Sequence, residues 1–405
     1  MDKVSILDQI IDNQKAEEVA NLDAIEIINS LFSELSDREK DVLIRRYGLH
    51  GSGKETLESI GNKHKLTRER IRQIETSSIK KLQQLRNLDS YVNNLKKIIF
   101  QLLEEHGGLM EKEYLLDILV SFSLNGFRSD PNNEVKHKNY LNFLITKLLY
   151  NEFEELINSK NFLDSYKLKY QELTYLEEIT NELLESIKNA KRIYKTEELI
   201  NEVGNLESFN RYKDKINIKN SLDISGVLKA DLYSEDAEII NSNKTIYTVL
   251  KAAKKVDQNK FGHWGLYNWR EIKPKTINDK IYLILKNKTK PLHFAEIAET
   301  INNIGFDSKQ ANAATVHNEL ILDNKYVLVG RGLYGLKEWG YEKGTVADVI
   351  EGILKCSETP LHRNDIIEKV LEKRLVKKAT IILALMNKDK FEKTEEGYKV
   401  KELVK

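Results

Sequence analysis

Three helix starts fall between residues 36 and 67, and together they constrain the chain more than any other feature of its sequence. In "LSDRE", Ser36 and Glu39 stand at the spacing where each side chain satisfies an orphan backbone N–H at the other's position. A helix is expected from about residue 37, with Val42, Leu43 and Tyr47 on its apolar side and Gly48 as the left-handed residue that stops it. Thr56 opens a short helix in "TLESIGNKHKL", with Leu57 and Ile60 inward, and Thr67 caps a third, "RERIRQIETSSIKKLQQL". At helical pitch, Ile71, Ile74, Leu82 and Leu85 fall within an arc of about 80°. Arg68, Glu69, Arg72, Gln73 and Thr76 occupy a different arc of about 140°. One stripe is built to pack and the other to face outward. Two helices joined by a tight turn, the second offering Arg, Glu and Gln near its start, suit a DNA major groove. Arg can grip guanine, Glu can accept from cytosine and Gln can pair with adenine. Spacing alone also permits a solvated helix in which Glu69 pairs with Arg72 or Gln73.

The stretch "YGLHGSGKETL" (47–57) meets part of the pattern of a phosphate-cradling loop, Gly, four residues, Gly, Lys. Glu55 stands where that loop needs a hydroxyl for magnesium, and the preceding segment has helical rather than strand character. The glycines are therefore read as a bend between helices. No paired carboxylates, nucleophile elbow or Cys–His arrangement stands out, so an enzyme is not expected, and neither is a cofactor. The single cysteine, Cys356, excludes a disulfide framework and a zinc finger.

A chain of 405 residues with 40% hydrophobic content is long enough for several cored domains. The net charge of +1 names no partner, but its distribution does: residues 1–35 carry −6 and residues 36–86 carry +6. No apolar run approaches a membrane span and the N-terminus lacks a basic head, so a cytoplasmic protein is expected, with no membrane partner.

The segments "LSDREKDVLIRRYGL" and "TLESIGNKHKLTRERIRQIETSSIKKL" resemble region four of the bacterial sigma-70 family of RNA polymerase sigma factors, without a gap from Leu35 to Leu82. That resemblance implies double-stranded DNA as a partner, through a minus-thirty-five promoter element, and the flap of the polymerase beta subunit as a second. By matching position it implies base reading by Arg68, Glu69, Arg72 and Gln73, and phosphate contact by Arg38, Arg46 and Thr67. Ser77 and Lys80 occupy positions where that family meets activators, although Ser77 replaces the usual base. Only about 35 residues precede the match, too few for the aromatic-rich region that captures melted promoter bases, so promoter opening by this chain alone is not expected.

A second constraint lies near the C-terminus. "TINDKIYLILKNKTKPLHFAEI" (276–297) and "TVADVIEGILKCSETPLHRNDI" (345–366) align without a gap, pairing Ile281 with Ile350, Leu285 with Leu354 and Pro291 with Pro360. Each continues into a third helix and a strand pair closed by a Gly-containing hairpin, which is a winged helix. "FGHWGLYNW" (261–269) is similar to "GRGLYGLKEW" (330–339), so a preceding unit is expected to end in a wing there. "KPLHFAEIAETI" and "VGRGLYGL" resemble the HARE-HTH winged-helix family, which implies either DNA or polymerase contact. Eight Lys/Arg against seven Asp/Glu over 276–340 leave those alternatives level, with Lys309 and Arg331 as the DNA contacts if DNA is bound. His293 and His362 recur at one repeat position without further ligands at metal spacing, so they are read as turn residues and no metal is expected. Trp264, Trp269 and Trp339 are read as core or interdomain anchors.

The expected fold is mainly α and multi-domain, a region-four-like helix-turn-helix plus tandem winged helices with small β-wings. Its segments are an acidic helical leader (1–30), the helix-turn-helix (31–88), a diverged winged helix (91–170), a winged-helix-like domain (171–273), the HARE-HTH-like module (276–340) and its repeat (345–403). The expected function is promoter recognition beside RNA polymerase, without promoter melting. A polymerase-independent DNA-binding or restriction-associated regulator, and a protein-binding scaffold, are the alternatives.

Overall fold

Helix caps set the first elements. In the computed structural model, which describes residues 22–51, 53–124, 131–216, 222–225, 237–341, 344–357, 359–394 and 396–401, Asp23 accepts from the backbone of Ile25 and Glu26 and opens α1 (Ala24–Phe32). Most of the acidic leader, residues 1–21, lies outside the described residues. Ser36 and Glu39 form the reciprocal box that opens α2 (Asp37–Tyr47), and Gly48, at φ 67°, closes it in the left-handed region. Thr56 and Thr67 each accept a backbone N–H three residues on, opening α3 (Leu57–His64) and α4 (Arg68–Gln83).

The chain is mostly helical, and beyond α4 one element order recurs: helix, short strand, helix, helix, two-stranded wing. The first round is α5 (Leu88–Glu105), β1 (Leu109–Glu111), α6 (Lys112–Ser123), α7 (Pro131–Phe143) with a π-helical turn at Leu144–Leu148, β2 (Phe153–Leu156) and β3 (Ser165–Leu168). Its sheet is antiparallel in the order β1-β3-β2. The second runs through α8 (Thr174–Ala190), α9 (Thr196–Asn205), α10 (Glu207–Arg211), α11 (Lys213–Ile216), α12 (Ala237–Ser242), α13 (Lys244–Ala252), β4 (Val256–Gln258) and β5 (Trp264–Leu266). Here a single bridge from Tyr194 to Trp264 replaces the first strand.

These elements lie in one compact unit, residues 1–268, and residues 269–405 form a second. The second unit repeats the order twice. It holds α14 (Ile277–Lys288), β6 (Leu292–His293), α15 (Phe294–Ile304), α16 (Ala313–Leu322), β7 (Tyr326–Gly330) and β8 (Leu333–Leu336), with sheet order β6-β8-β7. Then come α17 (Val346–Lys355), α18 (Arg363–Lys373), α19 (Lys378–Leu385), β9 (Phe391–Lys393) and β10 (Tyr398–Val400), with Leu361 bridging to Tyr398. The paired repeat positions Ile281 and Ile350, Leu285 and Leu354, and Ile297 and Ile366 are all buried. The "PLH" segments do more than turn: each pairs with the last wing strand, so the wing has a third, short member. His293 accepts from the Ala295 N–H and caps α15, whereas His362 makes no such cap bond. Trp264 is 1% exposed and donates its indole N–H to Thr196 Oγ1 at 3.0 Å, whereas Trp269 and Trp339 are half-buried. Among the described residues no helix is long and apolar enough to cross a membrane, and no group of three or more His, Cys, Asp or Glu side chains is placed to hold a metal ion.

Candidate nucleic-acid interface

The core beneath the helix-turn-helix joins Val42 of α2, Ile60 of α3 and Ile71 and Ile74 of α4, with Leu57 and Leu66 at its edge. Burying this stripe turns the opposite arc of α4 outward. Arg68, Glu69, Arg72, Gln73 and Thr76 are all exposed, while Ile71, Ile74, Ser78 and Leu82 are buried. Leu85, expected in the packing stripe, lies past the helix end and is half-buried.

The outward arc is organised before any ligand arrives. Arg72 donates through Nε to Glu69 Oε2 at 2.9 Å and through Nη2 to Oε1 at 2.7 Å, a forked ion pair on an open surface. The Arg72 hydrogen bond holds the Glu69 carboxyl below its usual range, and the same bond raises Arg72. Arg70 Nη1 donates to Gln73 Oε1 at 3.1 Å, which orients the Gln73 amide. At the start of the helix Thr67 is the N-cap, its hydroxyl oxygen taken by the Arg70 N–H at 3.2 Å.

Flanking positions divide into exposed and engaged groups. Arg38 and Lys80 are exposed, and exposed Ser77 turns its hydroxyl back to the Ile74 carbonyl at 3.0 Å. Arg46 has an internal role: Nε donates to Glu75 Oε1 at 3.4 Å and Nη1 to the Glu55 carbonyl at 3.1 Å, so it reaches a phosphate only in competition with these bonds. Tyr47 donates to the same Glu75 oxygen at 2.7 Å, tying the end of α2 to the middle of α4, and burial pushes its hydroxyl pKa up. In the second unit, Lys309 is exposed between α15 and α16, and Arg331 is exposed at the turn between β7 and β8.

Two structural residues escaped the sequence reading. Gly61 sits inside α3 where a Cβ would lie 2.7 Å from the Leu66 carbonyl oxygen, on the turn that delivers the chain to α4. Its signal was present, since a glycine in a short helix is costly unless close packing requires it. Because the obstacle is backbone, Gly61→Ala is expected to destabilise the first unit by ~1–3 kcal/mol in urea unfolding and to weaken duplex binding with it. Glu55, which stands where a phosphate-cradling loop needs a hydroxyl, ties the loop together: it accepts from Lys63 at 2.9 Å, Arg45 at 3.1 Å and Ser59 at 3.1 Å. The Lys63 hydrogen bond first, and then those from Arg45 and Ser59, carry its carboxyl from 4.5 down to about 2. A depressed folded value means stability present above the unfolded value and lost as pH falls towards the folded one. Glu55→Gln is expected to remove part of the acid sensitivity of the helix-turn-helix between about pH 4.5 and pH 2 in a circular-dichroism titration.

Two helices, α3 and α4, joined by the three-residue turn 65–67 with Lys65 in the left-handed region, the second with a buried apolar stripe and an exposed polar start, define a helix-turn-helix. The family described as Sigma-70, region 4 matches residues 31–84. Over 87 residues the chain is 39% identical to the RNA polymerase sigma factor RpoS of Coxiella burnetii, covering 21% of this chain and 24% of that protein. It is 49% identical over 57 residues to SigA of Lactococcus lactis subsp. cremoris, 14% of this chain and 16% of that one, and 48% identical over 66 residues to SigA1 of Synechococcus elongatus, 16% of each. The chain thus spans a quarter or less of the length of these relatives, and no solved structure matches. The shared segment gives the chain a sigma region 4 helix-turn-helix domain.

Proposed function

We propose that this protein is a transcription regulator that recognises a promoter element with α4 and works at RNA polymerase, binding rather than catalysing. The observation that carries the reading is the exposed quartet Arg68, Glu69, Arg72 and Gln73 on the first two turns of a helix whose other side is buried. Arg38 and Thr67 supply phosphate contacts, which position a helix without carrying sequence information, and Arg46 can add one only by giving up its bonds to Glu75 and the Glu55 carbonyl. Matching to sigma factors supports the polymerase beta flap as the protein partner. The HARE-HTH-like module at 276–340 extends the contact with polymerase or with DNA, in the latter case through Lys309 and Arg331.

The test is selection of duplex sequences by the full chain, followed by affinity measurement against a scrambled duplex over a salt series. A consensus bound at least about a thousandfold tighter than the scrambled duplex supports the reading. Equal affinity for both sinks it. Co-purification with core RNA polymerase then separates a polymerase-bound regulator from one that acts on DNA alone, and absence of any duplex binding leaves a protein scaffold.

A further inference from the structure

In a helix-turn-helix the second helix of the pair is the one that enters a groove. In the first winged helix of this chain that helix is α7, and its C-terminal half is already engaged. Phe143, at its end, is fully buried and meets two rings of the helix-turn-helix edge-on: Phe32 of α1 at 6.0 Å and Tyr47 of α2 at 4.9 Å. One turn earlier, Asn139 Nδ2 donates to the carbonyl of Gly48, the residue that ends α2, at 2.9 Å. Just past α7, the Lys147 carbonyl accepts from Nε2 of Gln83, the last residue of α4, at 2.7 Å. The Lys147 ammonium stands 5.8 Å from the centre of the Tyr47 ring.

These contacts touch α1, the end of α2 and the end of α4, three separated points on one small domain. Ring packing supplies attraction without direction, whereas two hydrogen bonds, one at the end of α2 and one at the end of α4, fix its rotation. The corresponding helix of the second winged helix is covered: on α13, Lys244 through Leu250 and Ala252 are buried. Of these three second helices, α4 is the one whose first two turns show an arc of exposed polar side chains, Arg68, Glu69, Arg72 and Gln73.

We infer that the first winged helix is a clamp that sets the bearing of α4, with Asn139 and Gln83 as positioning residues for DNA recognition, and that the first unit reads a duplex through α4 and not through α7 or α13. This rests on the proposal that α4 reads DNA. A phosphate contact tolerates a few degrees of wobble, but a base-edge contact does not. The double variant Asn139→Ala/Gln83→Ala is therefore expected to lose about fivefold to tenfold in its preference for the selected duplex over a scrambled one, with affinity for the scrambled duplex unchanged.

A second readout does not depend on DNA. Nitroxide labels attached after Lys80→Cys on α4 and Lys160→Cys in the wing, in a Cys356→Ser background, are expected to give one narrow distance distribution. Adding the double variant should broaden it. If the double variant lowers the melting temperature, each single substitution is read by the same two measurements. An unchanged preference together with a narrow distribution overturns the clamp, as does a second block of selected bases that vanishes on substituting Lys136 of α7 or Lys251 of α13. A parent chain that selects no sequence at all refutes the reading role of α4 instead, and the label distances still decide the clamp.

Discussion

Arg68→Ala and Gln73→Ala, each in the full chain, are expected to weaken binding to the selected duplex by ~1–3 kcal/mol and to relax preference at one base position apiece. The expectation follows from where the two side chains stand. Arg68 is the first residue of α4 and Gln73 lies about a turn and a half further on, both exposed on the arc opposite Ile71 and Ile74. A guanidinium reads guanine O6 and N7, and a primary amide reads adenine N6 and N7, so each loss should be confined to sequences carrying the matching base. Arg38→Ala is the contrasting control. A phosphate contact should weaken selected and scrambled duplexes alike and lower the salt slope by about one. The internal bonds of the arc add a finer consequence. Because Glu69 holds Arg72 in a fork and Arg70 holds Gln73, the substitutions Glu69→Ala and Arg72→Ala should be non-additive in a double-mutant cycle. Equal losses on every sequence for Arg68→Ala and Gln73→Ala would show that α4 meets phosphates rather than bases.

The helix-turn-helix was legible because its signals are local. Ser36 with Glu39, Thr56 and Thr67 act on N–H groups within one turn, and Ile71, Ile74 and Leu82 follow a single helical period, so no distant contact was needed to place them. The C-terminal modules were legible for another reason: a repeated sequence must bury the same positions twice, as Ile281 and Ile350 do. What escaped the sequence depends on contacts far along the chain. Tyr47 reads as an inward residue of α2, but nothing local reveals that its ring meets Phe143 and its hydroxyl Glu75. Arg46 looks like any surface cation until Glu75 arrives from α4. The second winged helix was the least legible of all. Its α13 is buried nearly all round, yet it begins with a lysine, a residue that ordinarily marks a surface.

That lysine carries the largest stability effect expected of a single substitution here: Lys244→Met should destabilise the first unit by ~3–5 kcal/mol, out of a total of about 5–15 kcal/mol for a domain. Lys244 is 1% exposed and Glu105 3%, and they meet at 2.5 Å, joining α13 of the second winged helix to α5 of the first. The ammonium also donates to the Leu222 carbonyl, while the Glu105 carboxylate accepts from the Leu222 N–H at 3.1 Å and from Gln101 at 3.1 Å. Neighbouring His106, completely buried, is pushed down to about 3 chiefly by that burial and so adds no charge of its own near neutrality. Removing the ammonium leaves the carboxylate in place without the cation it was buried with, and that penalty, rather than the worth of the pair, sets the size of the loss. Two measurements separate these terms. Urea unfolding of Lys244→Met should show the deficit at neutral pH. Adding Glu105→Gln should restore part of the stability, leaving a shortfall of the ~1–3 kcal/mol that a carbonyl losing its donor at Leu222 costs. If Lys244→Met alone melts like the parent, the two winged helices are held together by their apolar contacts, and the ion pair only selects which way they fit.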